Sequence, residues 1–344
     1  MIRVGTRIYG KNGISDPSFE GFDPILVLMK SHSRWGELGP YSLKDEKGRI
    51  FENYHQFSKI YEELPDVISF YSKYDKTVIW DYSAHKQFNK NTNEMTPEYL
   101  KWRAIGMNHN YYARYPMGYN TRHKCLFALR NDSETIRNAY KNYSSSGNSS
   151  NFKVIESDKL YYIQARKQIY LPEYMRLVKL ESLFYELKDM LRSGRNLLII
   201  EVDGPHEESL NYYKQHYSVD NTFIQNRTML CTVQNLCIML NDGLHPFGHG
   251  YCLAMALMGF EGSKELNSNM IVDSFSKAIM TKENIEFIHK LYKKLLDEKV
   301  DVNDLVIIKF INICIELSIS RNKSLNNIFI KLNKKINCTF EIKI

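Results

Sequence analysis

The stretch GRIFENYHQFSKIY, residues 48–61, decides how the rest of this chain is read. Wound as a helix at about 100° per residue, it places Glu52, Gln56 and Lys59 at about 0°, 40° and −20°. Tyr54, Phe57 and Tyr61 fall on the opposite side. A carboxylate, an amide and an amine thus share one narrow stripe, backed by an aromatic one. On spacing alone, such a stripe is common on solvated helix faces, with the aromatic side turned to the core.

Upstream, DPILVLMKS (23–31) is a short apolar run ended by polar residues, which predicts a strand. GPYSLKDEKGRIFEN (39–53) alternates around a turn at DEKG and predicts a hairpin leading into the Glu52 helix. Downstream, residues 66–115 read as irregular and helical, with Trp80 and Trp102 as core anchors. RYPMGYNTRHKCLFAL (114–129) reads as a loop feeding a buried strand. Residues 131–158 are polar and contain SSSGNSS, the composition of a mobile surface insertion.

Residues 158–194 carry apolar positions at threes and fours, so helices are expected. Pro172 is placed to start the second of them and Gly194 to stop it. NLLIIEVDGPHEES (196–209) then gives a fully apolar run closing on Asp203 and a Gly-Pro turn, the pattern of a central strand. Residues 228–260 read as a buried segment, the turn HPFGHG, and an apolar helix. From 263 to 344 the chain is rich in Lys, Asn, Ile and Leu, has helical periodicity, and lacks Gly and Pro. A helical C-terminal extension, packed on the main domain or serving a protein partner, is expected there.

Bulk properties set the limits. With 344 residues, 43% hydrophobic and 25% charged, the chain can bury a sizeable core and is not of disordered composition. Aromatic residues make up 13%, with 24 tyrosines, which favours ring-lined pockets. A net charge of +7, spread along the chain, favours an anionic partner without marking a dedicated DNA binder. The six cysteines form no CxxC pair and sit mostly in apolar runs, as free thiols in a reducing compartment do. No signal-peptide core and no apolar run of about 20 residues is present, so a cytoplasmic protein without a membrane span is expected. GxSxG, P-loop and GxGxxG patterns are absent, which disfavours triad hydrolases, NTPases and dinucleotide folds.

Several residues have more than one reading. Asp203 is either a site carboxylate or a turn cap before Gly-Pro. Trp35 and Tyr41 could stack on a base or serve as core. His245 and His249, four apart across a Pro-Phe-Gly turn, make a poor metal set; Gly248 and Gly250 at a helix start better suit a backbone approach to phosphate. Arg114, Arg122, His123 and Lys124 form a basic loop, suited to a phosphate or simply solvated.

The segment WGELGPYSLKDEKGRIFENYHQFSK (35–59) resembles the entrance motif of the NADAR family, the NAD- and ADP-ribose-associated group. In that pattern a Gly-x-aromatic/Leu turn, a strand and a Gly turn lead into Glu-x-x-x-Gln-x-x-Lys on a helix. Gly36, Leu38, Gly48, Glu52, Gln56 and Lys59 fall on it. YELKDMLRSGRNLLIIEVDGP is similar to the family's helix and Leu-rich strand ending at a carboxylate, here Asp203. HPFGHGYCLAMALMG is similar to its glycine-started Leu-Met helix, with Gly248 as the matching glycine. The resemblance spans roughly residues 25–260. The chain departs from the pattern at Gly39-Pro40, where Ser-Asn is usual, after Asp203, where a Trp-Gly is missing, and at His245-Pro246, where Asn is usual.

The resemblance implies an α+β, helix-rich domain over 1–262 with a few strands, followed by the helical extension over 263–344. It implies an N-glycosidase acting on an ADP-ribosylated target, guanine in nucleic acid first, without metal or cofactor. Glu52 would be the acid/base and Lys59 the amine that attacks the anomeric carbon, or else a cation for phosphate. Asp203 would bind ribose or stabilise the cationic centre. Trp35, Gly36, Tyr41, Gln56, Arg122, His245 and Gly248 would contact substrate. Two other readings stay open: an N-glycosidase on a small ribosylated metabolite of riboflavin-pathway type, and a non-catalytic ADP-ribose or nucleotide binder.

Overall fold

The structure, a computed structural model, describes residues 1–261 and 265–266 except 12, 65–79, 81, 83, 147–149 and 218. β1 (Ile2–Thr6) opens the chain, followed by a small hairpin of β2 (Ile8–Gly10) and β3 (Gly13–Ser15) and by β4 (Asp23–Leu26). Five two-residue strands, β5 (Lys59–Ile60), β6 (Phe88–Asn89), β7 (Glu94–Met95), β8 (Phe127–Ala128) and β9 (Phe152–Lys153), pair as β5–β8 and β6–β7–β9. β10 (Leu197–Glu201) and β11 (Thr228–Leu230) complete a mixed four-strand sheet in the order β11-β1-β10-β4. β1, β10 and β4 run parallel, with Ile199 opposite both Val4 and Ile25, while β11 is antiparallel to β1. All five residues of LLIIE are buried, as expected of a central parallel strand covered on both faces.

Helices α1 (Phe51–Gln56), α2 (Pro97–Met107) and α3 (Glu134–Ser146) lie in the first half of the chain. α4 (Tyr162–Ala165), α5 (Leu171–Val178), α6 (Ser182–Arg192), α7 (Leu210–Tyr217), α8 (Val233–Asn241) and α9 (His249–Leu257) follow. Two caps are explicit in the sequence. Thr96 accepts from Tyr99 N at 3.2 Å ahead of Pro97, and Thr232 accepts from Asn235 N at 3.0 Å. The fold is therefore α+β, with a mixed sheet at its centre.

The described residues form two main apolar cores. One gathers the four-strand sheet with α5, α8 and α9. The other gathers α2 with Phe57, Ile60, Trp80, Trp102 and Phe127. α1 joins them: Phe51 at its start belongs to the first core, and Phe57 just past its end belongs to the second. Phe57 packs edge-on to Trp80 and Trp102, and its ring takes the space that a side chain at Gly106 would need.

Four sequence expectations are revised. The helix that starts at Phe51 ends at Gln56, so Lys59 lies on β5. Buried Arg103 fixes this exit, donating to the carbonyls of Phe57 and Ser58 at 3.2 Å and to Leu129 O and Asn131 Oδ1 at 2.7 Å. The hairpin around DEKG shrinks to one bridge, Lys44 to Ile50, because Asp45 closes the turn on Lys47 and Arg49. Within 131–158, expected as a mobile insertion, residues 134–146 form a packed helix, while 147–149 of SSSGNSS lie outside the described residues. α3 buries Ile136 and Ala139 in the second core, and Asp158 accepts from the Thr135 backbone and hydroxyl at 2.7 and 2.6 Å. The polar composition reflects α3's outer face. Pro172 does sit in the first turn of α5, yet no break precedes it. A π-turn over Arg166–Tyr170 runs α4 into α5, and its wider winding accommodates the proline's missing N–H.

Of the extension expected over 263–344, residues 265–266 form a strand pair with 260–261, and the remainder lies outside the described residues. No helix among the described residues is long and apolar enough to cross a membrane.

Arg103→Met should lower the unfolding free energy by about 2–4 kcal/mol, because several buried carbonyls lose their donor at once. Urea unfolding checks this; a loss under about 0.5 kcal/mol would show that another group ends α1.

Candidate functional site

The polar stripe survives the loss of helical geometry. Gln56 Nε2 donates to Glu52 Oε1 at 2.8 Å, and Lys59 Nζ donates to Gln56 Oε1 at 2.9 Å. The amide therefore bridges acid and amine in a fixed sense. Glu52 is buried, held at the head of α1 by its own N–H on Pro40 O at 3.0 Å. Pro40 thus anchors the Glu52 backbone through its carbonyl.

Asn53 places the opposite wall. Its buried amide donates to His109 O and Tyr111 O at 3.2 and 2.9 Å and accepts from Ala113 N at 2.7 Å. The loop so held stacks Tyr112 on Tyr41, with ring centroids 4.4 Å apart, and brings Arg114 to within 6.0 Å of the Tyr41 ring. Arg114 is the common electrostatic neighbour of Glu52, Asp203, Tyr41 and His249. Asp203 is exposed to solvent, yet so enclosed that desolvation raises its carboxyl, an arrangement that describes a recess. Tyr170, from the π-turn, feels Glu52, Glu201 and Asp203 together and lies 4.7 Å from the His55 ring.

Charge in this recess is costly, and Glu52, Lys59 and Asp203 record it. Burial raises Glu52, opposed by the Gln56 hydrogen bond and by Lys59 and Arg114. Burial lowers the Lys59 amine, against the pull of Cys125 and Glu52. Burial also raises Asp203, with Arg114 and His206 opposing. The arrangement supplies a carboxyl that keeps its proton to higher pH, an amine that loses its proton earlier, and a fixed cation nearby.

The other predicted positions lie elsewhere or act differently. Trp35 is half-buried against the sheet core, with the Arg34 guanidinium 4.3 Å from its ring centre. Gly36 is required by the backbone of Met29, which a methyl group would meet at 2.1 Å. Arg122 is exposed and folds onto the Tyr119 ring at 3.8 Å, while Arg114, eight residues upstream in the same basic loop, faces the carboxylates. His245 is tied by Nδ1 to Asp242 Oδ2 at 2.6 Å beside Tyr212 and Tyr213, a cluster that closes the turn after α8.

Gly248 does not leave an open phosphate turn. The Glu201 carboxyl group fills the start of α9: Gly250 N donates to Oε1 at 2.9 Å, and a methyl group at Gly248 would stand 2.0 Å from Oε2. Sequence reasoning missed Glu201 because it reads as the last residue of an apolar strand. It also missed Asn53, for which spacing offers no signal. The adjacent GHG was the available clue to Glu201, since glycines at a helix start allow close approach by any acid, including the chain's own.

Among the described residues, no group of three or more His, Cys, Asp or Glu is placed to hold a metal ion. No protein-family model matches the chain, and no curated protein or solved structure matches it significantly.

Two outcomes follow from this geometry. Gly248→Ala should cost about 1–3 kcal/mol of stability in urea unfolding, as overpacking against a fixed carboxylate does. Lys59, with its lowered midpoint, should be acetylated in competitive labelling with acetic anhydride at a lower pH than the exposed Lys90; equal midpoints would mean that Lys59 is solvated.

Proposed function

We propose that the chain is an N-glycosidase of NADAR type that removes ADP-ribose from a modified base, guanine in nucleic acid first. The observation that carries this reading is the hydrogen-bonded series Glu52–Gln56–Lys59 in one recess with Asp203 and Arg114. The resemblance of residues 35–59 to the family's entrance motif supports it.

The chemistry follows from the charges. Breaking a ribosyl C–N bond sends the bonding electrons to the base nitrogen, which needs a proton, and leaves positive charge at the anomeric carbon. Glu52, raised by burial, holds its proton to higher pH than an exposed carboxyl and can give it to the leaving nitrogen. Lys59, lowered by burial, gives up its proton at lower pH than an exposed amine, and its lone pair can then add to the anomeric carbon; ring opening then gives an imine that water hydrolyses, freeing the sugar and the amine. Asp203 offers negative charge to the cationic centre, and Arg114 offers a donor fork for a phosphate oxygen. Tyr41, stacked on Tyr112 and in the field of Glu52 and Asp203, offers an aromatic wall beside the acids.

A small ribosylated metabolite is the second reading. It is favoured by the filled start of α9, which removes one of the phosphate contacts a pyrophosphate would use.

Incubation with an oligonucleotide ADP-ribosylated on guanine should return the unmodified base, followed by mass spectrometry. Glu52→Gln and Lys59→Met should each lower the rate by about 100-fold or more while remaining folded. With Glu52 as acid, the rate should fall as pH climbs through its raised midpoint. An adduct left intact by wild type, with a small ribosylated substrate cleaved instead, would select the second reading. Binding without cleavage of either would leave a reader.

A further inference from the structure

Glu201 and His249 sit below the recess and have no part in the chemistry above. Glu201 ends β10, two residues before Asp203, and is fully buried; His249 begins α9 and is 5% exposed. His249 Nε2 lies 2.6 Å from Val27 O. A carbonyl can only accept, so Nε2 carries a hydrogen. Nδ1 faces Glu201 Oε2 at 3.2 Å, and Oε2 has no other partner. Between a carboxylate oxygen and a bare ring nitrogen this contact would be two acceptors facing each other, so one proton belongs between them.

We infer that this proton resides on Glu201, which stays a neutral acid donating from Oε2 to His249 Nδ1, and that the pair positions Asp203. The inference rests on the reading of Asp203 as a group that faces substrate.

Three facts place the proton on oxygen. Both side chains are buried, and an imidazolium–carboxylate pair there would separate two charges that a neutral pair avoids. Arg114 faces His249 and opposes a second positive charge, while Asp203 faces Glu201 and opposes a second negative one. Burial pushes the Glu201 carboxyl well above the ordinary range and holds His249 down to about 4, although N–H groups of Gly250, Tyr251 and His249 favour the carboxylate. The remaining titratable neighbours of Glu201, namely Tyr170, Tyr174, Tyr251 and Cys252, are all raised by burial and so remain neutral.

The consequence concerns Asp203. Oε1 of Glu201 ties the end of β10 to Gly250 N, fixing where the Asp203 turn begins. A neutral Glu201 also spares Asp203 a like charge, which leaves Arg114 and His206 to favour the Asp203 anion. Two carboxyls two residues apart are thereby split into a held acid and a working anion.

Nitrogen-15 labelling of histidine in the full chain reads the pair directly. At pH 7, His249 should show the neutral tautomer with Nε2 protonated and Nδ1 bare. Glu201→Gln, whose amide reproduces a neutral donor, should keep that tautomer and leave the Asp203 carboxyl midpoint, followed by carbon-13 NMR, unmoved. Protonation of both ring nitrogens at pH 7, or of Nδ1 alone, overturns the inference on wild type without any variant. So does a shift of more than about half a unit at Asp203 in Glu201→Gln, since removing a negative neighbour would pull Asp203 down. Neither readout uses a substrate, so failure of the glycosidase assay would leave this result standing.

Discussion

The guanidinium of Arg103 decides where α1 stops, and the site depends on that stop. A longer helix would carry Lys59 onward along its own axis and would pull Phe57 out of the second core. By taking the carbonyls of Phe57 and Ser58, Arg103 supplies the helix-end partners that another turn would have supplied, and it ties them to Leu129 beside β8. Lys59 then starts β5, pairing with Ala128, while its amine still reaches back to Gln56. Asn53 does the corresponding work on the facing loop, so a six-residue helix organises both walls of the recess.

Electrostatics follows from that placement. Bringing Glu52, Asp203 and Glu201 near one another leaves three acids where few cations enter, and burial raises all three. Arg114 opposes the rise at Glu52 and Asp203, and backbone N–H groups oppose it at Glu201. The acids therefore differ in what each can do: Glu52 is hydrogen-bonded through Gln56 to an amine, Asp203 opens to solvent, and Glu201 is sealed under α9. A site that protonates a leaving nitrogen beside a developing cation needs such a division. Aromatic rings supply the low-dielectric walls, and the high tyrosine content of the chain finds a use there.

Much of this architecture is legible in the sequence, for reasons that can be stated. LLIIE reads as a central strand because its burial on both faces leaves an uninterrupted apolar run. Gly194 reads as a helix stop because backbone chemistry there is local. Glu52 and Gln56 read as one face for the same reason. Lys59 joins them by a different route, since a long-range hydrogen-bond donor overrides helical periodicity. Residues 134–146 mislead because an amphipathic helix on a small core presents mostly its polar side. Arg114 is hard to distinguish from Arg122 in sequence, as both are loop arginines beside tyrosines; the Asn53 amide makes the difference, and its partners are 56 and 58 residues away. Gly248 shows the converse case, a helix start that is anion-binding in character but already occupied by Glu201.

The central claim is that Lys59 is the group that takes the sugar. Borohydride added during incubation with an ADP-ribosylated guanine oligonucleotide should reduce the imine and leave a stable sugar adduct on the Lys59 peptide, found by mass spectrometry. An adduct on Lys59, lost in Glu52→Gln, is the predicted result. Release of guanine at an undiminished rate, with no adduct at Lys59 under borohydride, would contradict the account and leave Lys59 a binding cation.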